Sequence, residues 1–226
     1  MSEHMVLGGK NCVIYTRANP AFVLLQPVDE HDLALLDKEE AYIRSHTDIP
    51  YLLAAFHVEN WNRDLSPWNA PAVFGNENFG DGASATLDYL TNELTPAVRE
   101  RYQTGTAPLV LGGYSLAGLF SLWCACQSSL FSAIAAASPS VWFPGWMDFV
   151  CQHTFQVDRI YLSLGDREEK ARNPVMAAVG GAIRQQYELL QQIPGMVSTL
   201  EWNPGNHFRD SEIRTAKAFL WVMSHP

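Results

Sequence analysis

The sequence has little charge for its length and no long apolar run, and these two absences exclude several classes of protein. Of its 226 residues, 17% are charged and 47% are apolar. This balance is typical of a globular protein rather than a disordered chain, and a chain of this length buries enough surface to fold without disulfides or a structural metal. No stretch approaches about 18 consecutive apolar residues, so no transmembrane helix is predicted.

Basic residues and paired cysteines are also scarce. The 15 Lys and Arg residues face 24 Asp and Glu residues, which gives a net charge of −9 with no basic run to offset it. An acidic chain repels phosphate backbones, so neither nucleic acid nor a membrane is an expected partner, and no oligomeric state is predicted. The first residues lack the charged and then apolar layout of a signal peptide. Without a C-x-x-C pattern, Cys12, Cys124, Cys126 and Cys151 are expected to be reduced, mostly buried thiols of a cytoplasmic protein.

Short apolar runs alternate with amphipathic stretches along the whole chain, with no repeat and no linker long enough to divide it. The predicted strands are residues 12–15, 22–26, 51–57, 109–111, 133–137, 159–164 and 197–202. The predicted helices are residues 32–45, 82–94, 116–127 and 212–223, with a short helix starting at Thr95-Pro96 and a long one from Asn173-Pro174 to Pro194-Gly195. This alternation predicts an α/β fold with one domain over residues 1–226, a doubly wound, mostly parallel sheet with helices on both faces. Such a sheet binds its ligands at the carboxyl ends of its strands.

The strongest local signal is a serine between an apolar strand and an apolar helix. Ser115 has Gly113 two residues before it and Ala117 two residues after it. This is the strand–turn–helix setting of a nucleophile elbow, in which the tight turn leaves room only for small side chains at these two positions. The turn also places the serine at a helix N-terminus, where an oxyanion is stabilised. Ser115 is therefore the candidate nucleophile, and an ordinary serine that caps a helix is the alternative.

A serine hydroxyl needs a general base, and His207 is the best placed histidine in the sequence. It lies in a Gly-, Pro- and Asn-rich loop after the last predicted strand, where the serine–acid–histidine chain order of this fold class requires the base. His153 and His225 are expected to be solvated, and His57 precedes the serine in sequence. A loop histidine that only caps the final helix is the alternative interpretation.

Three carboxylates compete for the role of the acid that orients the imidazole. All three follow the predicted strand 159–164, in the turn of residues 165–170. An acid three residues after the strand-ending glycine selects Glu168, with Asp166 second and Glu169 third. The alternative is a solvated charged turn, with its lysine and arginine as surface partners.

Several segments resemble a known family of esterases, the one that includes esterase D and the enterochelin esterases. They are Asn-Arg-Asp-Leu-Ser-Pro at 62–67, Gly-Tyr-Ser-Leu-Ala-Gly-Leu-Phe at 113–120, Ser-Pro-Ser-Val-Trp at 138–142, Leu-Gly-Asp at 164–166 and Gly-Asn-His at 205–207. The resemblance runs from about residue 50 to the end, and its order and spacing are more specific than any one motif. Ala117 stands where the family usually has glycine, and the residues before Pro50 carry little of the pattern.

The resemblance implies an α/β-hydrolase fold and hydrolysis of a small-molecule ester or thioester through an acyl-enzyme intermediate, with no metal and no organic cofactor. Ser115 would be the nucleophile, His207 the base, and an acid of the 165–170 turn the orienting group. The N–H of Leu116 would donate to the oxyanion, and a second donor would come from the loop after the strand 51–57, near Val58 or Glu59.

Aromatic residues near the predicted strand ends are the candidate substrate contacts. They follow two strands, Trp142, Phe143 and Trp146 after one and Trp61, Trp68, Phe74 and Phe79 after the other, while Tyr114 precedes the serine. An aromatic pocket suits an apolar or aromatic acyl or alcohol group, and the alternative is that these rings only pack the loops. Two other functions stay open on this fold: a non-catalytic binding module, and a serine acyltransferase or peptidase with the same triad.

Overall fold

The chain forms one eight-stranded sheet in the computed structural model, which describes residues 2–73 and 75–225. The strands, in chain order, are β1 (Ser2–Leu7), β2 (Lys10–Thr16), β3 (Phe22–Val28), β4 (Tyr51–His57), β5 (Leu109–Tyr114), β6 (Ala133–Ala137), β7 (Arg159–Gly165) and β8 (Val197–Asn203). Every strand that the sequence predicts is present, including the alanine-rich β6. β1 is additional.

The order of the strands across the sheet is β1-β2-β4-β3-β5-β6-β7-β8. β1 pairs antiparallel with β2, and β2 pairs antiparallel with β4. All other neighbours are parallel, so β3 to β8 end at the same edge of the sheet. The predicted doubly wound, mostly parallel sheet is confirmed, and the loops that follow these six strands meet at their carboxyl ends.

Helices cover both faces of the sheet. They are α1 (Glu30–His46), α2 (Trp61–Asp64), α3 (Ala83–Tyr89), α4 (Thr95–Tyr102), α5 (Leu116–Gln127), α6 (Trp146–Gln152), α7 (Pro174–Ala177), α8 (Val179–Gln191) and α9 (Ser211–Ser224). Side chains of α1 and α9 pack in one apolar cluster, and those of α3 to α6 and α8 pack in another. The strands alternate between the two: Leu24 of β3 belongs to the first cluster, and Val23 and Leu25 belong to the second.

β1 is the strand that the sequence pattern did not predict. It joins β2 through Gly8 and Gly9, whose φ angles are 53° and 82°. Two glycines with positive φ form the tight hairpin turn that matches the twist of paired strands. β1 lies at an edge of the sheet and its side chains are exposed or half-buried, so it lacks the apolar run that identifies the other strands.

The helical run over residues 83–102 is continuous, whereas the sequence predicted a new helix capped at Thr95. Thr95 itself has helical dihedral angles, φ −62° and ψ −47°. Leu90–Leu94 form a π turn, in which the Thr95 N–H donates to the carbonyl of Leu90. This wider turn directly precedes Pro96, which has no N–H with which to continue a regular ladder of hydrogen bonds.

The single long helix predicted after Asn173 is two helices. Asn173 caps the first turn of α7 and Pro174 occupies its first position, as expected. The helix breaks at Ala178, two residues before the glycine pair at 180–181. Glycine is a weak helix former, and Gly180 packs closely on Glu169, where an added Cβ would lie 2.7 Å from the Glu169 Cβ.

The cysteines are free thiols, three of them buried and Cys151 exposed. Across residues 2–73 and 75–225, the helices are all too short or too polar to cross a membrane.

Candidate active site

Ser115 lies on a strained turn between β5 and α5. Its φ of 57° and ψ of −118° are rarely adopted by a residue with a side chain. Gly113 and Ala117 pack against each other inside this turn, because a Cβ on Gly113 would lie only 2.6 Å from the Ala117 Cβ. Direct contact therefore requires small residues two positions before and after the serine, which is the geometry of a nucleophile elbow.

The His207 imidazole lies beside the serine. Its Nε2 is 2.9 Å from Ser115 Oγ, although 92 positions separate the two residues in sequence. The hydroxyl of Tyr114 donates to the His207 carbonyl oxygen at 2.7 Å, and the two rings are 5.1 Å apart. Tyr114 therefore ties the loop that carries the histidine to the end of β5, the strand that leads into the serine.

The other histidines considered from the sequence have different partners. His57 Nε2 lies 3.2 Å from a carboxylate oxygen of Glu30. His153 and His225 are exposed, as expected, and each ring contacts a carbonyl oxygen of its own helix.

Glu168 lies next to the histidine, on the side away from the serine. It begins a 3₁₀ turn after β7, and its Oε2 accepts a hydrogen bond from His207 Nδ1 at 2.7 Å. Its Oε1 accepts from the Gly165 N–H at 2.7 Å and from Ser138 Oγ at 2.8 Å. Serine, imidazole and carboxylate thus form one continuous line of hydrogen bonds.

Glu168 is ionised in this setting. Burial by itself raises the pKa of this carboxyl, but the hydrogen bond and charge of His207, with the bonds from Gly165 and Ser138, outweigh burial and hold the pKa below its usual range. A carboxylate can only accept, so the His207 Nδ1 carries the proton in this hydrogen bond. In the tautomer with its proton on Nδ1, Nε2 is a proton acceptor and faces Ser115 Oγ.

The two competing carboxylates of the same turn have other partners. Asp166 Oδ1 accepts from the Gly205 N–H at 2.8 Å, which holds the start of the histidine loop against the end of β7. Glu169 Oε2 accepts from Arg184 Nη1 at 2.8 Å, on α8. Of the three candidates, the geometry brings Glu168 to the imidazole.

Arg214 is a residue of this site that the sequence analysis missed. It lies on α9 with its side chain 2% exposed, and its Nη1 is 3.0 Å from Glu168 Oε1 and 3.0 Å from the Tyr114 hydroxyl. Its Nη2 donates to the carbonyl oxygens of Pro204 at 3.2 Å and Asn206 at 3.0 Å. One guanidinium therefore binds the carboxylate and the loop just before the histidine. An arginine three residues into a predicted amphipathic helix gave no signal of this role.

Two serines after β6 were also missed. Ser138 has a φ of 41° and donates to Glu168, while the Oγ of Ser140 lies 3.2 Å from Ser115 Oγ. The N–H of Ser140 donates to the carbonyl oxygen of Ser115 at 3.0 Å. The Ser-Pro-Ser segment therefore braces both the nucleophile and the carboxylate from the neighbouring strand.

The two predicted oxyanion donors have different outcomes. Leu116 is the first residue of α5, a position whose N–H has no acceptor within its own helix. Val58 is a wrong choice as a donor, because its N–H already donates to the Val28 carbonyl at 3.0 Å, extending the pairing of β3 with β4. Glu59, the alternative to Val58, is not among the residues that line the cavity at the serine, and the residues of this loop that do line it are Trp61 and Asn62.

Ser115, His207 and Glu168 open into a cavity of about 750 Å³ at the carboxyl edge of the sheet. Three predicted contact residues, Trp61, Trp142 and Tyr114, line it, and so does Phe208, whose side chain is 85% exposed. A smaller cavity of about 460 Å³ lies at the β1–β2 edge and contains none of the catalytic candidates.

The remaining aromatic residues of the two loops pack inside the protein. Phe143, Trp146 and Phe79 are 2%, 0% and 3% exposed, and the Trp68 ring contacts Phe143 and donates to a backbone carbonyl. Phe143 and Trp146 are therefore wrong as candidate substrate contacts, because both side chains lie in the apolar cluster beneath the loops. Phe74 lies outside the described residues.

The model of one protein family matches most of the chain. Residues 34–196 match the model of the family described as "Putative esterase". A search of the curated proteins finds no match.

Solved structures share the fold. An IroE-like serine hydrolase from Shewanella oneidensis is 17% identical, with 99% of this chain and 80% of that chain covered and a TM-score of 0.82. The siderophore hydrolase EstB from Aspergillus nidulans is 16% identical, with 98% and 93% covered and a TM-score of 0.77. The enterochelin esterase from Shigella flexneri is 14% identical, with 100% and 59% covered and a TM-score of 0.68. At these identities the likeness shows the α/β-hydrolase fold.

Proposed function

The chain belongs to the Putative esterase family and is a carboxylic ester hydrolase, and we propose that it works as a serine esterase with Ser115, His207 and Glu168 as its catalytic triad. The observation that carries the proposal is the unbroken line of hydrogen bonds, 2.9 Å from Ser115 Oγ to Nε2 and 2.7 Å from Nδ1 to Glu168. A nucleophile, a base within hydrogen-bond reach and a group that orients the base are the parts that this chemistry needs.

In the first half of the reaction, Ser115 Oγ bonds to the carbonyl carbon of the ester while its proton passes to His207 Nε2. The carbonyl oxygen becomes an oxyanion. As the C–O bond to the alcohol breaks, the imidazolium gives its proton to the leaving oxygen, and the acyl group stays on the serine. Glu168 stabilises the imidazolium during this step and stays a carboxylate, because its pKa lies below the usual range and the Nδ1 proton therefore remains on His207.

In the second half, water replaces the alcohol. It gives a proton to Nε2 as it attacks the acyl carbon, and His207 returns that proton to Ser115 Oγ when the carboxylic acid leaves. The same base therefore serves both halves without a net change in the enzyme.

The oxyanion needs at least two donors. The N–H of Leu116 at the start of α5 is the first, favoured by the dipole of that twelve-residue helix. Since the Val58 N–H is already used within the sheet, the second donor is assigned to Trp61 or Asn62, the residues of the β4 loop that line the cavity.

Asp166, Tyr114 and Arg214 are positioning residues in this proposal. Each holds the loop of residues 204–207 through a backbone atom, and Arg214 also contacts the carboxylate. The cavity of about 750 Å³ suits a small ester or thioester rather than a large lipid. The participation of strands from both ends of the chain in one sheet supports a single catalytic domain.

The test is hydrolysis of 4-nitrophenyl esters and thioesters of graded acyl length by the wild type and Ser115→Ala. The wild type is expected to show a burst of nitrophenolate and to be labelled by a fluorophosphonate at Ser115, and Ser115→Ala to lose at least about 10³-fold in kcat. Undiminished turnover by Ser115→Ala, in a folded protein, would remove the serine mechanism. Amide substrates that turn over as fast as matched esters would favour the peptidase alternative instead.

A further inference from the structure

Three basic residues of the segment after β7 line one wall of the cavity at Ser115. Arg167, Lys170 and Arg172 are exposed there, and within residues 2–73 and 75–225 they make no hydrogen bond, ion pair or ring contact. Each of the other twelve Lys and Arg residues contacts a carboxylate, a carbonyl oxygen or an aromatic ring. The unpaired cations of the described chain are therefore gathered at the proposed active site.

The acids of the same segment point elsewhere. Asp166 accepts from the backbone of Gly205, Glu168 from His207, and Glu169 from Arg184. The carboxylates of this segment therefore bind other protein groups, and among them Glu168 alone lines the cavity, together with the three basic side chains. Glu169 is close enough to Lys170 for their charges to attract, but it is itself paired with Arg184, so the repulsion among the three cations is only partly offset.

The opposite wall has the opposite sign. Asp29, His31 and Asp32, which follow β3, line the same cavity. β3 and β7 lie on opposite sides of β5 in the sheet, and Ser115 follows β5. The nucleophile therefore stands between a wall with two aspartates and a wall with three basic residues, and this difference in charge favours one orientation of an anionic substrate.

We propose that the natural substrate is an ester that carries an anionic oxygen group, such as a carboxylate, on the part of the molecule that lies toward β7. Arg167 and Arg172 can each bind such a group with two parallel hydrogen bonds, and Lys170 adds a third charge. On the other wall, the carboxylate of Asp29 repels the anion. This inference rests on the proposed serine esterase function and narrows its substrate class.

The test compares esters that differ only in charge. Mono-4-nitrophenyl adipate is paired with its methyl ester for an anionic acyl part, and 4-acetoxybenzoate with methyl 4-acetoxybenzoate for an anionic alcohol part. In at least one pair, the wild type is expected to favour the anion about tenfold in kcat/KM, and added salt should reduce the preference. In Arg167→Gln/Lys170→Gln/Arg172→Gln the ratio of anionic to neutral ester should fall by about the same factor.

A control variant separates the cavity wall from the overall charge. Lys10→Gln/Arg99→Gln/Arg101→Gln changes the net charge equally at residues that do not line the cavity, and its anionic-to-neutral ratio should stay within twofold of wild type. The proposal is overturned if neither pair shows a preference in the wild type, or if the control lowers the ratio as much as the cavity variant.

Binding to Ser115→Ala keeps this inference distinct from the catalytic proposal. Each ligand is titrated into Ser115→Ala by calorimetry, and the binding of the anions monomethyl adipate and 4-acetoxybenzoate is compared with that of the neutral dimethyl adipate and methyl 4-acetoxybenzoate. Tighter binding of an anion, lost on adding the three cavity substitutions, supports the anionic subsite even if no ester is hydrolysed. Equal binding of anions and neutral esters refutes the subsite, even if Ser115 hydrolyses neutral esters.

Discussion

Arg214→Met removes the positive charge from the most buried ion pair of the site. The two side chains are 2% and 4% exposed, so Glu168 would keep a carboxylate with no cation beside it. Breaking one partner of a buried pair costs about 3–5 kcal/mol, because the other charge is left desolvated. In a chain of this length that lowers Tm by roughly 6–20 °C.

The same substitution has a catalytic consequence. The guanidinium binds the carbonyl oxygens of Pro204 and Asn206, so its loss frees the loop that carries His207. We expect kcat to fall with little change in KM, since no atom of Arg214 is assigned a contact with substrate. Thermal and urea unfolding measure the stability, and steady-state hydrolysis of a nitrophenyl ester measures the rate.

Two further variants make this reasoning refutable. Arg214→Met/Glu168→Gln removes both charges and is expected to cost less than the sum of the single variants, by about 0.5–3 kcal/mol. Arg209→Met removes an exposed partner of Asp210 on the same side of the protein and should change stability by less than about 0.5 kcal/mol. Additive costs for the double variant, or an Arg214→Met as mild as Arg209→Met, would show that the buried pair does not couple.

Three other predictions follow from the geometry. Glu168→Gln should lower kcat by roughly 10³–10⁴-fold, because the amide cannot stabilise the imidazolium. Asp166 only positions the loop, so Asp166→Asn should lower kcat far less, and equal losses for the two variants would contradict the assignment of Glu168 as the acid. The pKa of Glu168 lies below its ordinary 4.5, so the ionised carboxylate contributes fully to stability above about pH 4.5, and this contribution disappears as the pH falls through the folded-state pKa. The difference in unfolding free energy between wild type and Glu168→Gln should therefore shrink as the pH falls, and a difference that stays constant would refute the lowered pKa. Gly113→Ala places a Cβ 2.6 Å from the Ala117 Cβ, so it should destabilise the protein by about 1–3 kcal/mol and reduce fluorophosphonate labelling. The control Gly181→Ala lies in open space on α8 and should be neutral or stabilise the protein by up to about 1 kcal/mol, and similar melting temperatures for the two variants would refute the packing argument.

The sequence predicted the sheet because burial leaves a local signal. A strand covered by helices on both faces is largely apolar, and the strands from β3 to β7 are buried along almost their whole length. β1 has one paired edge and exposed side chains, so its presence depends on its register with β2 and not on its own composition. The Gly8-Gly9 turn was the signal that could have found it.

The nucleophile and the base could be located, but the acid could not be chosen. Ser115 is marked by the small residues that its own turn requires, and His207 by its loop after the last strand. Asp166 and Glu168 are two residues apart, and only the 3₁₀ turn after β7 decides which carboxylate meets the imidazole. Val58 failed as an oxyanion donor because the pairing of its N–H with Val28 is not visible in the sequence.

The sequence alone determined the order of the strands from β2 to β8, the tight serine turn and the loop that holds the histidine, because each depends on neighbouring residues and on local burial. The tertiary structure alone decided the partners of Glu168, the place of Arg214 and the separation of an acidic from a basic cavity wall. Those features join residues that are far apart in the chain, and the order of strands in the sheet brings them together.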